Sequence, residues 1–145
     1  MTLFPSELVP DLDLGDDHYL VWTRWAPDDL PANRAWLGLP DGEPLPVVER
    51  WGATVRHYRP DGTLCEGGIE FDGPWQRKVH ALNAEASRRE GREPPRWVVW
   101  TVECWEPLTV SPSLLCQAPI LDADGKQVGA CGDHGYIRRG QWQRA

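Results

Sequence analysis

The sequence has no long hydrophobic run, since no stretch of its 145 residues approaches the ~20 apolar residues that a membrane-spanning helix needs. It also lacks a basic and then apolar segment at its start, so we expect no signal peptide. A chain that is not exported stays in a reducing cytosol, where cysteines remain thiols or bind metals rather than form disulfides. The four cysteines are therefore candidate metal ligands, and no membrane contact is expected.

Positive charge is scarce as well. Fifteen Lys and Arg residues stand against 22 Asp and Glu residues, which gives a net charge of −7 at pH 7. Because affinity for a phosphate backbone depends on Lys and Arg, this balance disfavours a nucleic-acid partner and docking on an anionic membrane.

Tryptophan, proline and glycine are abundant, with 9, 14 and 14 residues respectively. One Trp can bury roughly 150–250 Å², so a few of them could dominate the core of a fold with short strands. The many Pro and Gly residues favour turns over long helices.

The composition divides the chain into two parts. Residues 1–17 carry five acidic side chains and two prolines, which favour an extended acidic N-terminal arm. Residues 18–145 show no internal repeat and no second boundary, so we predict a single globular domain there.

Strand signals are clearest in the first half of this domain. Aromatic and branched residues over 18–26 predict a strand. Residues 51–59 and 63–71 predict a hairpin, because Pro60-Asp61-Gly62 between them has the residues of a tight turn.

One helix and a closing hairpin are predicted further along. Apolar residues at helical spacing predict a helix over 74–89, with Asp72 as its N-cap. Residues 96–105 are apolar on both faces and predict the central strand of the sheet. The predicted fold is α+β: a mainly antiparallel, Trp-rich sheet with one covering helix and a zinc-stapled hairpin over 135–138 and 141–144.

The last thirty residues hold the sharpest chemical signal. Cys131-Gly-Asp-His134 places a thiol and an imidazole three residues apart on a turn, and Cys116 precedes them across a loop. These residue types suit a tetrahedral structural zinc site. The fourth ligand is Cys65, just past the hairpin turn, or Cys104, which lies in the middle of a strand. The alternative is that these are reduced core cysteines beside a surface histidine.

An enzyme is the weaker interpretation. Three protein ligands and a water molecule would make a zinc-dependent hydrolase or a nucleic-acid-processing protein, with Asp133 as the base. However, the sequence contains no His-Glu-x-x-His or deaminase pattern. Ser111 and Ser113 lack a nucleophile-elbow context, and His57 is interpreted as a packing residue of its strand. No catalytic residue is therefore predicted.

A set of motifs runs through residues 97–145: Trp100-Thr-Val-Glu, Trp105-Glu-Pro-Leu-Thr, Ser111-Pro-Ser-Leu-Leu-Cys116, Cys131-Gly-Asp-His-Gly-Tyr-Ile and Gly140-Gln-Trp142. On these motifs the segment resembles a family of small uncharacterised proteins of actinobacteria and their phages, mycobacteriophages especially. It is also similar, more distantly, to a phage and bacterial domain of unknown function that is thought to bind zinc. The resemblance implies Cys116, Cys131 and His134 as ligand positions, with a longer insertion between the two cysteines than many relatives have.

The predicted function is a non-enzymatic protein–protein binding module of a phage or prophage, with a structural zinc site. Its partner would be a host or virion protein, and its location the cytoplasm of the bacterial host or the virion. A surplus Trp on the surface would be a natural anchor for such an interface. The sequence leaves the oligomeric state open.

Overall fold

The computed structural model describes residues 9–145, and over that range the chain folds into ten strands and two helices. The predicted α+β class with mainly antiparallel pairing is confirmed. The elements are β1 (Leu12–Gly15), β2 (His18–Trp25), α1 (Pro31–Leu37), β3 (Val48–Tyr58), β4 (Leu64–Glu70), α2 (Pro74–Arg89), β5 (Thr101–Trp105), β6 (Leu108–Leu115), β7 (Pro119–Leu121), β8 (Gln127–Ala130), β9 (His134–Arg138) and β10 (Gln141–Arg144).

The strands form two four-stranded sheets and a separate hairpin. The first sheet has the order β1-β2-β3-β4, the second has the order β10-β9-β6-β5, and β7 pairs with β8 alone. All neighbours within the sheets are antiparallel. A single parallel bridge between Phe71 and Trp100 links the end of β4 to the start of β5.

The core lies between the inner faces of the two sheets. Period-two alternation along β3 and β4 directs Ala53, Val55, Ile69 and Phe71 inward. They meet inward residues of the second sheet, namely Leu108, Val110, Leu114, Ile137 and Trp142. Most of this core is aliphatic: Trp142 is its one tryptophan among the described residues, and Trp22 and Trp100 pack against its border.

Three other tryptophans form a cluster outside the core. Trp25 stacks obliquely on Trp51 with ring centroids 4.7 Å apart, and on Trp75 of α2 at 6.0 Å. The Gln76 side chain also donates a hydrogen bond to the Trp51 carbonyl oxygen at 3.0 Å. These contacts attach the first turn of α2 to the first residues of β3.

Part of the predicted acidic arm belongs to the first sheet. Leu14 of β1 is fully buried, and the amide of Trp22 donates a hydrogen bond to the Asp11 carboxylate at 2.7 Å. Leu12 and Leu14 alternate with Asp11 and Asp13, so the apolar side chains face the core and the carboxylates face solvent. Burial of one such Leu side chain is worth about 1.5–3 kcal/mol. Residues 1–8 of the predicted arm lie outside the described range.

The prediction of a central strand over 96–105 is wrong. The strand, β5, begins only at Thr101, pairs with β6 alone and lies exposed at the edge of the second sheet. The residues before it are held by β4 instead, because Trp97 Nε1 donates to the Glu70 carboxylate at 2.6 Å and Trp100 bridges to Phe71. Residues 96–105 are therefore apolar on both faces because they contact two different sheets in turn, and not because they form a central strand.

The helix predicted over 74–89 is confirmed with those bounds. Its N-cap is Gly73 rather than Asp72, whose carboxylate accepts two hydrogen bonds from Arg77 at 2.6 Å. The short α1 begins at a proline and ends at Gly38, which has the left-handed φ of 70°. Among residues 9–145, neither helix has the length and apolarity needed to cross a bilayer.

Both predicted hairpins are present. β3 and β4 pair around Asp61 in continuous register, from Gly52 opposite Glu70 to Tyr58 opposite Leu64. β9 and β10 pair around the turn at residues 139–140. These two hairpins belong to different sheets and approach each other at one end of the core, where the candidate site lies.

Candidate metal centre

The β3–β4 hairpin supplies two neighbouring side chains. Its register places His57 directly opposite Cys65. Both follow the inward alternation set by Ala53 and Val55, and both are buried. The hairpin therefore presents one imidazole and one thiol side by side at the end of the core.

The second sheet supplies two more thiols from its loops. Cys116 comes directly after β6, and Cys131 comes shortly before β9. Main-chain hydrogen bonds hold the two segments together, from Cys116 N to the Asp133 carbonyl at 2.7 Å and from Gly132 N to the Cys116 carbonyl at 2.9 Å. Gly132 has a φ of +73°, a left-handed conformation that glycine adopts without a steric penalty.

These four residues converge on one point. The ligand atoms of His57, Cys65, Cys116 and Cys131 all lie within 4.8 Å of one another, an arrangement that could hold a metal ion. The distance from Cys131 Sγ to His57 Nε2 is 3.7 Å. A tetrahedron with Zn–S bonds of about 2.3 Å and Zn–N bonds of about 2.0–2.1 Å has edges of about 3.5–3.8 Å, so this separation fits.

The structure brings together three of the four ligands named from the sequence, and it places the fourth elsewhere. Cys65, Cys116 and Cys131 share the group, whereas His134 Nε2 lies 2.7 Å from the Ser113 hydroxyl. His134 is the first residue of β9 and sits opposite Leu115 of β6, which turns its ring away from the thiols. The other candidate, Cys104, is exposed on β5.

His57 is the ligand candidate that the sequence analysis missed. The signal for it was present, because a hairpin centred on Asp61 necessarily pairs residue 57 with residue 65. A cysteine on one arm and a histidine opposite it on the other arm form a half-site as informative as Cys-x-x-His.

A second group of polar side chains lies behind His57. His18, His57 and Asp133 also have their ligand atoms within 4.8 Å of one another. Asp133 Oδ2 is 2.6 Å from His18 Nε2 and 3.9 Å from His57 Nδ1. At 3.9 Å the carboxylate is too far from His57 for a hydrogen bond, but its charge attracts a proton on Nδ1 and so favours the tautomer that leaves Nε2 free for a metal. Asp133 is therefore placed as a positioning group, rather than as the base suggested for an enzyme.

Ring stacking adds to this support. The His18 ring lies parallel to the His57 ring at 4.9 Å and to the Trp142 ring at 4.0 Å. His18 Nδ1 also lies 2.5 Å from the Asp16 carbonyl oxygen. The stack connects β10, β2 and β3, so residues of both sheets fix the orientation of His57.

The protonation preferences of the four residues differ. Burial, together with the nearby Cys116 and Cys131 sulfurs, raises the pKa of the Cys65 thiol to about 11. Burial also raises the pKa of Cys116. Burial lowers the pKa of His57 despite the opposing effect of Asp133, which favours the neutral imidazole that binds metals.

Cys131 is the exception among the thiols. Burial tends to raise its pKa, but hydrogen bonds from the Asp133 amide and the Arg59 guanidinium outweigh this effect and lower it. Arg59 also donates to the carbonyl oxygens of Ala118 and Pro119, both at 3.3 Å. Three thiolates and one divalent cation leave one excess negative charge, which this guanidinium is placed to offset.

Comparison with protein-family models, with curated proteins and with solved structures found no match. The resemblance to actinobacterial and phage proteins therefore stays a prediction. The assignment of the site depends on the geometry of these residues alone.

We expect His57→Ala to weaken zinc binding far more than His134→Ala does. The first change removes one of four ligand atoms, whereas the second removes a hydrogen bond to Ser113. The loss for His57→Ala should exceed the roughly 10–100-fold typical of a change beyond the ligands, measured by competition with a chromophoric chelator. Equal losses for the two variants, or a larger loss for His134→Ala, would contradict the assignment.

Asp133→Asn should lower zinc affinity by about 10–100-fold while leaving the stoichiometry at one ion. The amide keeps the shape of the carboxylate but loses the charge that orients His57. The same chelator competition measures the change, and Asp124→Asn in the exposed β7–β8 turn is the control. Unchanged affinity in Asp133→Asn would show that this carboxylate does not support the metal site.

Proposed function

We propose that this protein is a protein-binding module whose two sheets are held together by one structural zinc ion. The observation that carries the proposal is the origin of the four ligand atoms. His57 and Cys65 come from a hairpin of the first sheet, and Cys116 and Cys131 come from loops of the second. An ion bound there cross-links the two halves of the core.

The ligand chemistry supports zinc. Three thiolates and one imidazole form a Cys₃His set, which is one of the usual structural zinc sites. Soft thiolate ligands disfavour magnesium and calcium, which prefer oxygen. A pKa of about 11 for Cys65 means that a cation must replace its proton before it can act as a ligand at neutral pH.

Four protein ligands also favour a structural role over catalysis. A tetrahedral ion with four protein ligands has no open position for water, whereas a catalytic zinc keeps one. A hydrolase would need Asp133 beside such a water, but this carboxylate lies against His18 on the far side of the His57 ring.

The surface supports a binding role. Large apolar side chains are exposed on separate parts of the second half of the chain: Val98, Trp105, Leu115, Leu121 and Val128 are each at least 45% exposed. Aromatic residues such as Trp105 commonly anchor protein interfaces. The phage origin and the location in host cytoplasm or virion remain predictions.

The test is metal content combined with stability. We expect one zinc ion per chain. Chelation should lower the melting temperature by about 8–16 °C relative to protein in free zinc at 1,000 times Kd. Cys104→Ser is the matched control, because this cysteine is exposed and outside the group. A protein without zinc, or one whose melting is unchanged by chelation, would refute the structural role.

A further inference from the structure

The free edge of β4 offers main-chain hydrogen-bonding groups to a partner. Phe71 N donates to the Trp51 carbonyl at 3.0 Å, so this cross-strand pair is a hydrogen-bonded one. In an antiparallel ladder, such pairs alternate with pairs whose N–H and C=O groups point away. Counting back from Phe71 along the register, Glu66 and Gly68 direct both groups away from β3.

The chain itself occupies only one end of this edge. Trp100 N donates to the Glu70 carbonyl at 2.9 Å, and Asp72 N donates to the Trp100 carbonyl at 2.8 Å. This bridge shows that the edge accepts a neighbouring strand. Within residues 9–145, the outward-facing N–H and C=O groups of Glu66 and Gly68 make no main-chain hydrogen bond.

A cleft lies beside the same stretch, between β4 and the end of β6. Its volume is about 300 Å³, and its walls include Val55, Ile69, Leu114, Trp100 and Trp142. Gly67 opens it, since a Cβ built at this inward position would meet no atom within 4 Å. This volume is at the small end of ligand pockets, so it suits a single side chain better than a cofactor.

The β4 edge carries carboxylates on the face opposite Gly67. Glu66 and Glu70 flank Gly68 there, and no Arg or Lys lines the cleft or the adjoining groove among the described residues. Arg56 Nε lies 3.4 Å from the half-exposed Glu66 carboxylate, and Glu70 accepts a hydrogen bond from Trp97 Nε1 at 2.6 Å. Asp133 at the cleft is already paired with His18 at 2.6 Å, so the preference for basic over acidic guest side chains comes from Glu66 and Glu70.

We propose that the β4 edge binds an extended segment of a partner protein, which adds as a further strand. Glu66 and Gly68 supply the main-chain hydrogen bonds, an apolar side chain of the guest enters the cleft beside Gly67, and basic side chains of the guest face the carboxylates. Strand addition of this kind takes affinity from the main chain and specificity from pockets for alternate side chains. The inference rests on the proposed binding function and locates its surface.

Two substitutions block the site in different ways. Gly67→Leu fills the cleft, and Gly68→Pro removes the outward N–H at an edge position where proline is tolerated. Gly68→Ala is the matched control, because it keeps the N–H and places its methyl group on the opposite face. Zinc content and melting temperature of each variant establish that it is folded.

The test uses a displayed library of random nine-residue peptides, selected on the zinc-loaded protein. We expect enriched peptides that alternate apolar and basic residues, and affinities at least about tenfold weaker for Gly67→Leu and Gly68→Pro but unchanged for Gly68→Ala. Slower exchange of the Glu66 and Gly68 amide protons in the complex would place the peptide on the edge.

Three outcomes would overturn the inference. No enrichment on folded, zinc-loaded protein would exclude strand addition, and peptides that bind both blocking variants normally would place the binding surface elsewhere. A wild-type dimer that Gly68→Pro dissociates would make a second copy of this chain the occupant. A fourth outcome separates this inference from the zinc proposal. Peptides that require the β4 edge but bind equally without zinc would support strand addition and refute the structural role of zinc.

Discussion

The two sheets come together at a cluster of three sulfur atoms and one imidazole at the end of the core. Two of these ligands belong to a hairpin of the first sheet and two to loops of the second, so the cluster closes the space between the sheets. Three thiolates so close together repel one another, and burial already disfavours the charged form of Cys65 and Cys116. The proposed divalent cation would convert this unfavourable arrangement into a cross-link, because it would offset two of the three thiolate charges and leave the third beside Arg59.

The surroundings of the cluster are consistent with this account. Asp133 and the stacked ring of His18 restrict the orientation of His57, and Arg59 brings a positive charge to Cys131. At the same end of the molecule β4 is the edge strand of its sheet, and Gly67 carries no side chain to fill the adjacent cleft. In the proposed zinc-bound state, the metal would fix this hairpin beside the unpaired strand edge and so provide a rigid template for the proposed guest strand.

Local sequence signals predicted a large part of this structure. The bounds of α2, both hairpins and the choice of three thiols that the fold brings together follow from periodicity, turn residues and the chemistry of cysteine. These local signals failed where the packing of the two sheets determines the position of a segment or the burial of a side chain. The 96–105 segment is apolar on both faces because it crosses between two sheets, and Leu14 joins the core although acidic residues surround it in sequence. His57 replaces His134 in the group because strand register, not spacing along the chain, sets which ring faces the thiols.

X-ray absorption at the zinc edge of the purified, zinc-loaded protein tests the central claim most directly. The account predicts three sulfur ligands at about 2.3 Å and one nitrogen ligand at about 2.0–2.1 Å. In His57→Ala the nitrogen should be lost or replaced by an oxygen of water, whereas in His134→Ala the spectrum should be unchanged. A wild-type spectrum with fewer than three sulfurs, or a nitrogen ligand that disappears in His134→Ala, would contradict it.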